Sequence, residues 1–451
     1  MNDAADMGLP TFGAALRFWT KIGLLSFGGP AGQIALLHRE VVDDRNWVSD
    51  RRFLHALSFC NLLPGPEAQQ LATYLGWLMH GVKGGLAAGI IFVLPGAAVM
   101  LGLSLIYAVA GHVPVIDALF FGLKSAVLVL VVEALLRIGR RALKGRVAWC
   151  LAGAAFIALF LFKVPFPVVV LTSGVIGYAL PASFAHGGHG QARHDRPALI
   201  DAALALDPAR PARLAGAARQ AGFVALALWL LPTAALLVLA HASAFADIAW
   251  FFSKMAVVTV GGAYAVLAYV AQDAVEAYHW LSPPEMLSGL GLAETTPGPL
   301  ILVLQFVGFL AGYRAPGALT GVPGGVVGSI LTLWVTFAPC FTFVFLGAPF
   351  IERLQANRAL SGALAVITAS VVGVVGNLAV WFALQVLFRD HRTLGAGPVT
   401  INSPVLTSID VAALALAVVA AICLFGLKRG VLQTLGITAA AGLALRLAMN
   451  V

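Results

Sequence analysis

The stretch Leu63-Pro64-Gly65-Pro66-Glu67 decides the fold, because two prolines around a glycine cannot continue an α-helix. The triplet returns as Pro297-Gly298-Pro299 within an ungapped repeat that aligns residues 18–66 with residues 251–299. Backbone-shaping glycines and prolines are among the identical pairs, so gene duplication is the simplest cause. Further identical pairs are Phe18/Phe251, Lys21/Lys254, Gly28/Gly261, Gly29/Gly262, Trp47/Trp280 and Ser49/Ser282.

The composition indicates a membrane protein. Hydrophobic residues make up 60% of the chain and charged residues 11%, and the mean hydropathy is +0.92. Several apolar runs approach the ~20 residues that cross a bilayer core. We therefore predict an all-α, polytopic membrane protein with two homologous helical repeats that contain Pro-Gly-Pro-broken helices. Duplicated halves with broken helices are typical of secondary transporters.

The number of spans depends on the broken segments. If each one crosses the bilayer, the sequence predicts six spans, one linking span and six more, with the second repeat inverted. If they are re-entrant hairpins, the same count predicts parallel repeats. The first arrangement is favoured. The predicted units are a first repeat (12–181), a polar linker (182–220), a linking helix (221–241) and a second repeat (246–451).

The charge distribution predicts the orientation. The chain has 28 basic and 20 acidic residues, and the basic ones crowd the loop at 137–146 and the polar linker. The positive-inside rule places both segments in the cytoplasm. Because membrane topology accounts for the excess of basic residues, no nucleic-acid partner is predicted. The N-terminus has no basic region typical of a cleavable signal, so the first helix is expected to be retained.

The sequence favours no enzyme and no cofactor. The four cysteines lie far apart in or beside apolar runs, without a metal-binding spacing, so no metal is expected. No phosphate loop, nucleophile elbow or zinc-hydrolase motif occurs in the sequence. An intramembrane enzyme therefore remains a remote alternative.

A helix that starts at a break within the membrane points unpaired N–H groups and about half a positive charge into its surroundings. Such a site suits a small anion. Glycines beside it allow close approach of a ligand, although paired glycines also serve helix packing. The residues predicted to bind the substrate are Lys21, Ser26, Gly28, Gly29, Asn61, Pro64, Gly65, Pro66, Gln70, Lys254, Thr259, Gly261, Gly262, Thr295, Thr296, Pro297, Gly298 and Pro299.

Several charged residues in or beside apolar stretches are also candidates. Lys21 and Lys254 are predicted to offer positive charge to an anion, and snorkelling to the interface is the alternative. Glu67 is predicted to be a proton-coupled group, because its ionised form would repel a bound dianion. Glu40 and Asp273 occupy matching positions in the repeat and are candidates for gating.

The motifs resemble the chromate ion transporter family in its long, two-domain form. The resemblance rests on Phe27-Gly28-Gly29-Pro30, on Trp47-Val48-Ser49 and on Asn61 to Gln70, with Thr295 to Pro299 as a degenerate partner. The second copy lacks the Glu-Ala-Gln-Gln tail, so the halves are expected to differ at the site.

This resemblance implies a multi-pass protein of the inner (plasma) membrane. It also implies chromate export driven by the membrane potential or the proton-motive force, and chromate resistance. Sulfate is an expected competitor, and transport of sulfate or another tetrahedral oxyanion, by uptake or exchange, is the main alternative. An oxyanion channel is a further alternative. A homodimer is compatible with the sequence.

Overall fold

The structure is a computed structural model that describes residues 8–111, 113–180, 198–207, 209–241, 243–260, 262–317, 319–351, 357–396 and 399–448. Helices dominate it, as the composition predicts. The first repeat contains α1 (Phe12–Leu25), α2 (Gly29–His38), α3 (Asp50–Cys60), α4 (Glu67–Ala110), α5 (Pro114–Ala142), α6 (Arg146–Phe160) and α7 (Phe166–Ala179). Two further helices, α8 (Leu199–Leu206) and α9 (Arg210–Leu239), lead to the second repeat.

The second repeat follows the same order. Its helices are α10 (Ala244–Val258), α11 (Ala263–Gln272), α12 (Pro283–Thr295), α13 (Val303–Tyr313), α14 (Val322–Gly347), α15 (Arg358–Leu387), α16 (Val411–Ala421) and α17 (Val431–Ala448). A short 3-10 turn, Leu300–Leu302, precedes α13. The all-α prediction is confirmed apart from one antiparallel hairpin, β1 (His391–Ala396) with β2 (Val399–Pro404).

Helix α4 contains a sharp reversal. His80 and Gly81 have non-helical backbone angles, and Gly81 has φ +63°. The two arms, α4a (67–79) and α4b (82–110), fold back on each other, because a Cβ added to Gly76 would meet the Gly84 carbonyl oxygen at 2.5 Å. In the second repeat α13 and α14 form the matching pair, and Gly312 lies against Gly324 in the same way. Glycine allows both close contacts.

The Pro-Gly-Pro segments are re-entrant hairpins, so the prediction that they cross the bilayer is wrong. Arg314, at the end of α13, donates to the Trp280 carbonyl (2.7 Å) and pairs with Glu285, at the start of α12. Both ends of that hairpin therefore lie on one face. A Cβ on Gly289 would also meet the Phe306 ring at 2.4 Å, which places the two arms side by side. Each arm is too short to span a ~30 Å core.

The first repeat forms the equivalent hairpins. The start of α3 pairs with α8 through Arg52 and Asp201 (2.6 Å), and Arg210, just after α8, donates to the Met79 carbonyl at the end of α4a (2.7 Å). Helices α1 and α2 also return to one face. Phe18 meets Trp47 at a ring separation of 4.7 Å. The matching rings in the second repeat, Phe251 and Trp280, lie 5.5 Å apart.

The two repeats are inverted, as the sequence analysis favours, although for a different reason. Just before α4b, the His80 ring contacts the Pro10 carbonyl, at the hairpin ends of the first repeat. Near the other end of α4b, Tyr107 packs against Phe306. Tyr107 also lines a cavity with Glu285 and Arg314, at the hairpin ends of the second repeat. α4b therefore begins at the hairpin ends of the first repeat and finishes at those of the second. At 1.5 Å per residue it is about 40 Å long, enough to cross a bilayer.

Six helices among the described residues are long and apolar enough to cross a membrane. α6 and α7 are shorter, and they pack along α15 in opposite directions. Gly373 lies against Ala152, and Ser173 Oγ donates to Ser370 Oγ (2.8 Å). We call the side that carries α8 and the 137–146 loop the basic face.

The linker is more ordered than the sequence predicts. α8 forms backbone hydrogen bonds from Leu199 and Ile200 to Asn46 and Trp47, and α9 already begins at Arg210. This helix thus begins ten residues before the predicted end of the linker at residue 220. Residues 182–197 of that linker lie outside the described residues. The sequence predicts no helix in the linker, because the segment is rich in Gly and Pro and has no apolar periodicity.

Candidate functional site

The two Pro-Gly-Pro breaks meet the α1 and α10 breaks at the centre of the protein. The Gly298 N–H donates to the Ser26 carbonyl (2.7 Å), and the Gly65 N–H donates to the Thr259 carbonyl (3.0 Å). These are the same bonds in the two repeats. Gly65 (φ +120°) and Gly298 (φ +94°) adopt backbone angles that favour glycine. Backbone N–H and carbonyl groups that are left unpaired where the helices break thus form hydrogen bonds with the other repeat.

Four helical segments begin at this crossing: α2, α4a, α11 and the 3-10 turn before α13. A small cavity touches the first residues of all four, and its lining residues are Pro30, Gln33, Pro66, Glu67, Ala68, Ala263, Pro299, Leu300 and Ile301. Their N-terminal N–H groups concentrate positive potential in one place. The arrangement is therefore suited to an anion.

A larger cavity of about 200 Å³ lies next to the crossing. It is large enough for several water molecules, or for a small tetrahedral anion with water around it. Helix α5 supplies two cations to its wall, Arg137 and Arg141. The lining residues are Pro30, Ala31, Ile34, Glu67, Ala134, Arg137, Ile138, Arg141, Gly262, Ala263, Tyr264 and Thr368. Since α5 ends at the basic face, these arginines connect the crossing with that face.

Two carboxylates are near these arginines. Arg137 forms an ion pair with Glu133 one turn earlier, and its Nε donates to Glu133 Oε1 at 3.1 Å. Glu294, only 5% exposed, accepts a 2.9 Å hydrogen bond from the Tyr264 hydroxyl. Tyr264 and Arg137 both line the larger cavity, so this network forms part of its wall.

The predicted hydroxyl ligands point away from the cavities. Ser26 Oγ and Thr259 Oγ1 donate to the carbonyls of Ile22 (2.7 Å) and Met255 (2.6 Å). Thr295 and Thr296 donate in the same way to carbonyls of α12. These side chains stabilise helix ends, and only the backbone of Ser26 and Thr259 takes part in the crossing.

The predicted lysines do not line either cavity. Lys21 donates to Glu40 Oε1 at 2.7 Å, and Glu40 also pairs with Arg45. Lys254 lies over the Phe251 and Tyr269 rings, 5.9 and 5.5 Å from their centroids. Asp273, the match of Glu40, adjoins Tyr269 and Lys254. The charged groups of these lysines and carboxylates thus lie toward the outer ends of the re-entrant hairpins. Their position does not support a role for either lysine in binding the substrate.

Other predicted residues are closer to the site. Pro66, Glu67 and Pro299 line the small cavity, and Gly262 lines the larger one. Gln70 Nε2 donates to the Pro64 carbonyl (2.6 Å), so this amide braces the break. Gly28 and Gly29 have positive φ and form the break before α2, while the Pro297 carbonyl packs against Gly96. Asn61 is exposed at the end of α3, and Gly261 lies outside the described residues.

The residues that give the cavity its charge do not stand out in the sequence. Arg137 and Arg141 were interpreted only as part of a basic loop, and Glu294 was not singled out. Repeat alignment offers a signal for Glu294, since it replaces Asn61 immediately before the second break. No comparable signal exists for the arginines, because only the fold brings α5 to the crossing.

Comparison with known proteins identifies the family. The family model described as Chromate transporter matches residues 14–178 and 246–445, which together cover most of the chain. The chain belongs to the chromate transporter family. The two matched regions are the two repeats, and the linker between them is unmatched.

Similar proteins carry related names. A chromate transport protein of Pseudomonas aeruginosa is 33% identical over 360 residues, covering 79% of this chain and 77% of the relative. A chromate transport protein of Cupriavidus metallidurans is 25% identical over 362 residues, covering 80% of each chain. An uncharacterized transporter of Bacillus subtilis, YwrB, is 30% identical over 141 residues, 31% of this chain but 71% of its own. No solved structure matches the chain.

Proposed function

We propose that this protein exports chromate from the cytoplasm across the inner membrane and thereby confers chromate resistance. The observation that carries the proposal is the convergence of four helix N-termini on a small central cavity, next to a larger cavity whose wall carries Arg137 and Arg141. Chromate is a tetrahedral dianion. Backbone N–H groups and arginines are the donors that bind such oxyanions.

Membrane potential suffices to drive export. The basic face is cytoplasmic by the positive-inside rule, so the cavity beside Arg141 receives its substrate from the cytoplasm. A potential that is negative inside favours outward movement of a dianion by about 4.6 kcal/mol per 100 mV, twice the value for a single charge. The inverted repeats supply two related conformations for alternating access.

Glu67 limits how tightly the substrate is held. It is the first residue of α4, and its carboxylate lines both cavities. The helix N-terminus stabilises the ionised form of this carboxylate, and a neighbouring negative charge weakens the binding of a dianion. Release on the far side requires binding that is not too strong.

Flux measurements test the proposal. The purified protein, reconstituted with its basic face outward, should accumulate labelled chromate in vesicles when the lumen is made positive. Arg137→Gln with Arg141→Gln should abolish the accumulation. Sulfate is the comparison substrate, since helix N-termini and arginines bind any tetrahedral oxyanion. Equal rates for sulfate and chromate would make oxyanion transport without chromate preference the better description.

A further inference from the structure

Glu294 is a buried carboxyl that differs between the two repeats. It aligns with Asn61, so only the second break carries an acid at this position. Its side chain accepts one hydrogen bond from Tyr264 (2.9 Å), and it is 5% exposed. It also precedes the last residue of α12, where the carbonyl end of the helix dipole disfavours negative charge.

Among the described residues, few charged or titratable groups face Glu294. Helix α11 presents Tyr264, and helix α5 presents Arg137 and Glu133, and these are the groups that interact with it electrostatically. Arg137 attracts ionised Glu294, but its closest partner is Glu133 on the same helix. When Glu133 and Glu294 are both ionised, two carboxylates share the single cation Arg137, so this group carries a net negative charge behind the wall of the cavity.

We propose that Glu294 binds the proton that couples transport to pH, and that Tyr264 connects it to the substrate cavity. This inference rests on the proposed oxyanion function. A dianion in the cavity repels ionised Glu294, so anion binding favours its protonation. By linkage, protonation favours anion binding to the same extent. Binding of each dianion is then accompanied by the uptake of one proton at Glu294.

This assignment moves the coupling role away from Glu67. Glu67 lies at a helix N-terminus, which favours its ionised form, whereas Glu294 lies at a helix C-terminus. Burial disfavours the ionised form of both carboxyls, but only at Glu67 does a helix N-terminus oppose this effect. The setting of Glu294 is the one that retains a proton.

Chromate binding by the full-length protein tests the inference. Affinity is measured over a pH series, and proton uptake on binding is followed with a pH-sensitive dye in weakly buffered solution. Wild type should take up about one proton per anion, so that its affinity falls about tenfold per pH unit above the midpoint. Glu294→Gln should lose this uptake and slope. Comparing variants cancels the titration of chromate itself.

A second variant and a control complete the test. Tyr264→Phe should move the midpoint to higher pH, because ionised Glu294 loses its hydrogen bond. Glu276→Gln, an exposed acid on the opposite face, should behave as wild type. Wild-type proton uptake in Glu294→Gln, or an unchanged midpoint in Tyr264→Phe, overturns the inference alone. Absence of chromate binding by wild type overturns the proposed function and this inference with it.

Discussion

The Gly298 N–H donates to the Ser26 carbonyl at 2.7 Å, and the matching residues Gly65 and Thr259 repeat this bond at 3.0 Å. The bonds relate two inverted repeats at the point where the chain breaks inside the membrane. Backbone at that depth must find partners within the protein. The reciprocal pair therefore fixes the crossing, and with it the direction of the four helix N-termini.

Alanine at either glycine should disrupt the crossing. In Gly65→Ala the new methyl would lie 2.8 Å from Gln70 Nε2 and 2.9 Å from Cys340 Sγ, and φ is +120°. We expect a loss of about 1–3 kcal/mol in stability and a loss of chromate flux. Gly153→Ala is the control, since its methyl would meet no atom within 4 Å. Normal thermal stability in Gly65→Ala and Gly298→Ala, measured in detergent, would contradict the role of these bonds.

Arg137 and Arg141 should determine oxyanion affinity. Arg137→Gln or Arg141→Gln removes a positive charge from the cavity wall, and each should weaken chromate binding about tenfold, or about 1.4 kcal/mol. Arg140→Gln is the matched control, because Arg140 is a neighbour on α5 that does not line the cavity. Equal chromate affinities for Arg140→Gln and Arg141→Gln in a binding titration would contradict direct binding by Arg141. The positive charge of α5 would then act on the anion only at long range.

Lys21→Gln should leave chromate affinity within about twofold of wild type, because the ion pair with Glu40 lies outside the cavities. Stability should respond instead. Burial raises the pKa of Glu40, but hydrogen bonds from Lys21 and Arg45 outweigh it and hold the pKa below its ordinary value. The pair therefore stabilises the fold above the ordinary carboxyl range, and this stability is lost as the pH falls through the lowered pKa.

Thermal unfolding over an acidic pH series checks this expectation. Lys21→Gln should begin to lose stability at a higher pH than wild type, since one of the two cations that lower the Glu40 pKa is gone. Tenfold weaker chromate binding with unchanged acid stability would restore Lys21 as a substrate ligand.

Cysteine labelling tests the inverted topology. Asp43 and Glu276 occupy the matching turn of each repeat, and both are exposed. Asp43→Cys should react with an impermeant reagent from the cytoplasmic side and Glu276→Cys from the opposite side. The background should carry Cys150→Ala, because Cys150 is the exposed one of the four native cysteines. Reaction of both from one side would exclude inversion.

The sequence predicts the features that local chemistry dictates. Pro-Gly-Pro cannot remain helical, so both breaks are predictable from the sequence. Ser282 and Glu285 form a capping box at the start of α12, which is likewise a local signal. The re-entrant path was not predictable, because it depends on contacts such as Arg314 with Glu285 across the ends of a hairpin. A half-helix has the same sequence whether it crosses the membrane or returns.

The candidate site was predicted only in part. Glu67, Pro66 and Pro299 follow from the breaks themselves and do line the small cavity. Lys21 was a reasonable expectation, because a cation within an apolar stretch needs a partner, but its partner is Glu40. Arg137 and Arg141 reach the cavity through the packing of α5 against the hairpins. That packing is tertiary, and no local pattern in the sequence encodes it.

Voltage-driven accumulation of chromate is the decisive measurement for export through the cavity lined by Arg137 and Arg141. Vesicles containing the full-length protein with its basic face outward are given a lumen-positive potential, and labelled chromate uptake is compared with that of Arg137→Gln/Arg141→Gln at equal protein content. We expect accumulation that rises with the imposed potential in wild type and is absent in the double variant. Accumulation that does not depend on the imposed potential, or that persists in the double variant, would contradict voltage-driven export through this cavity.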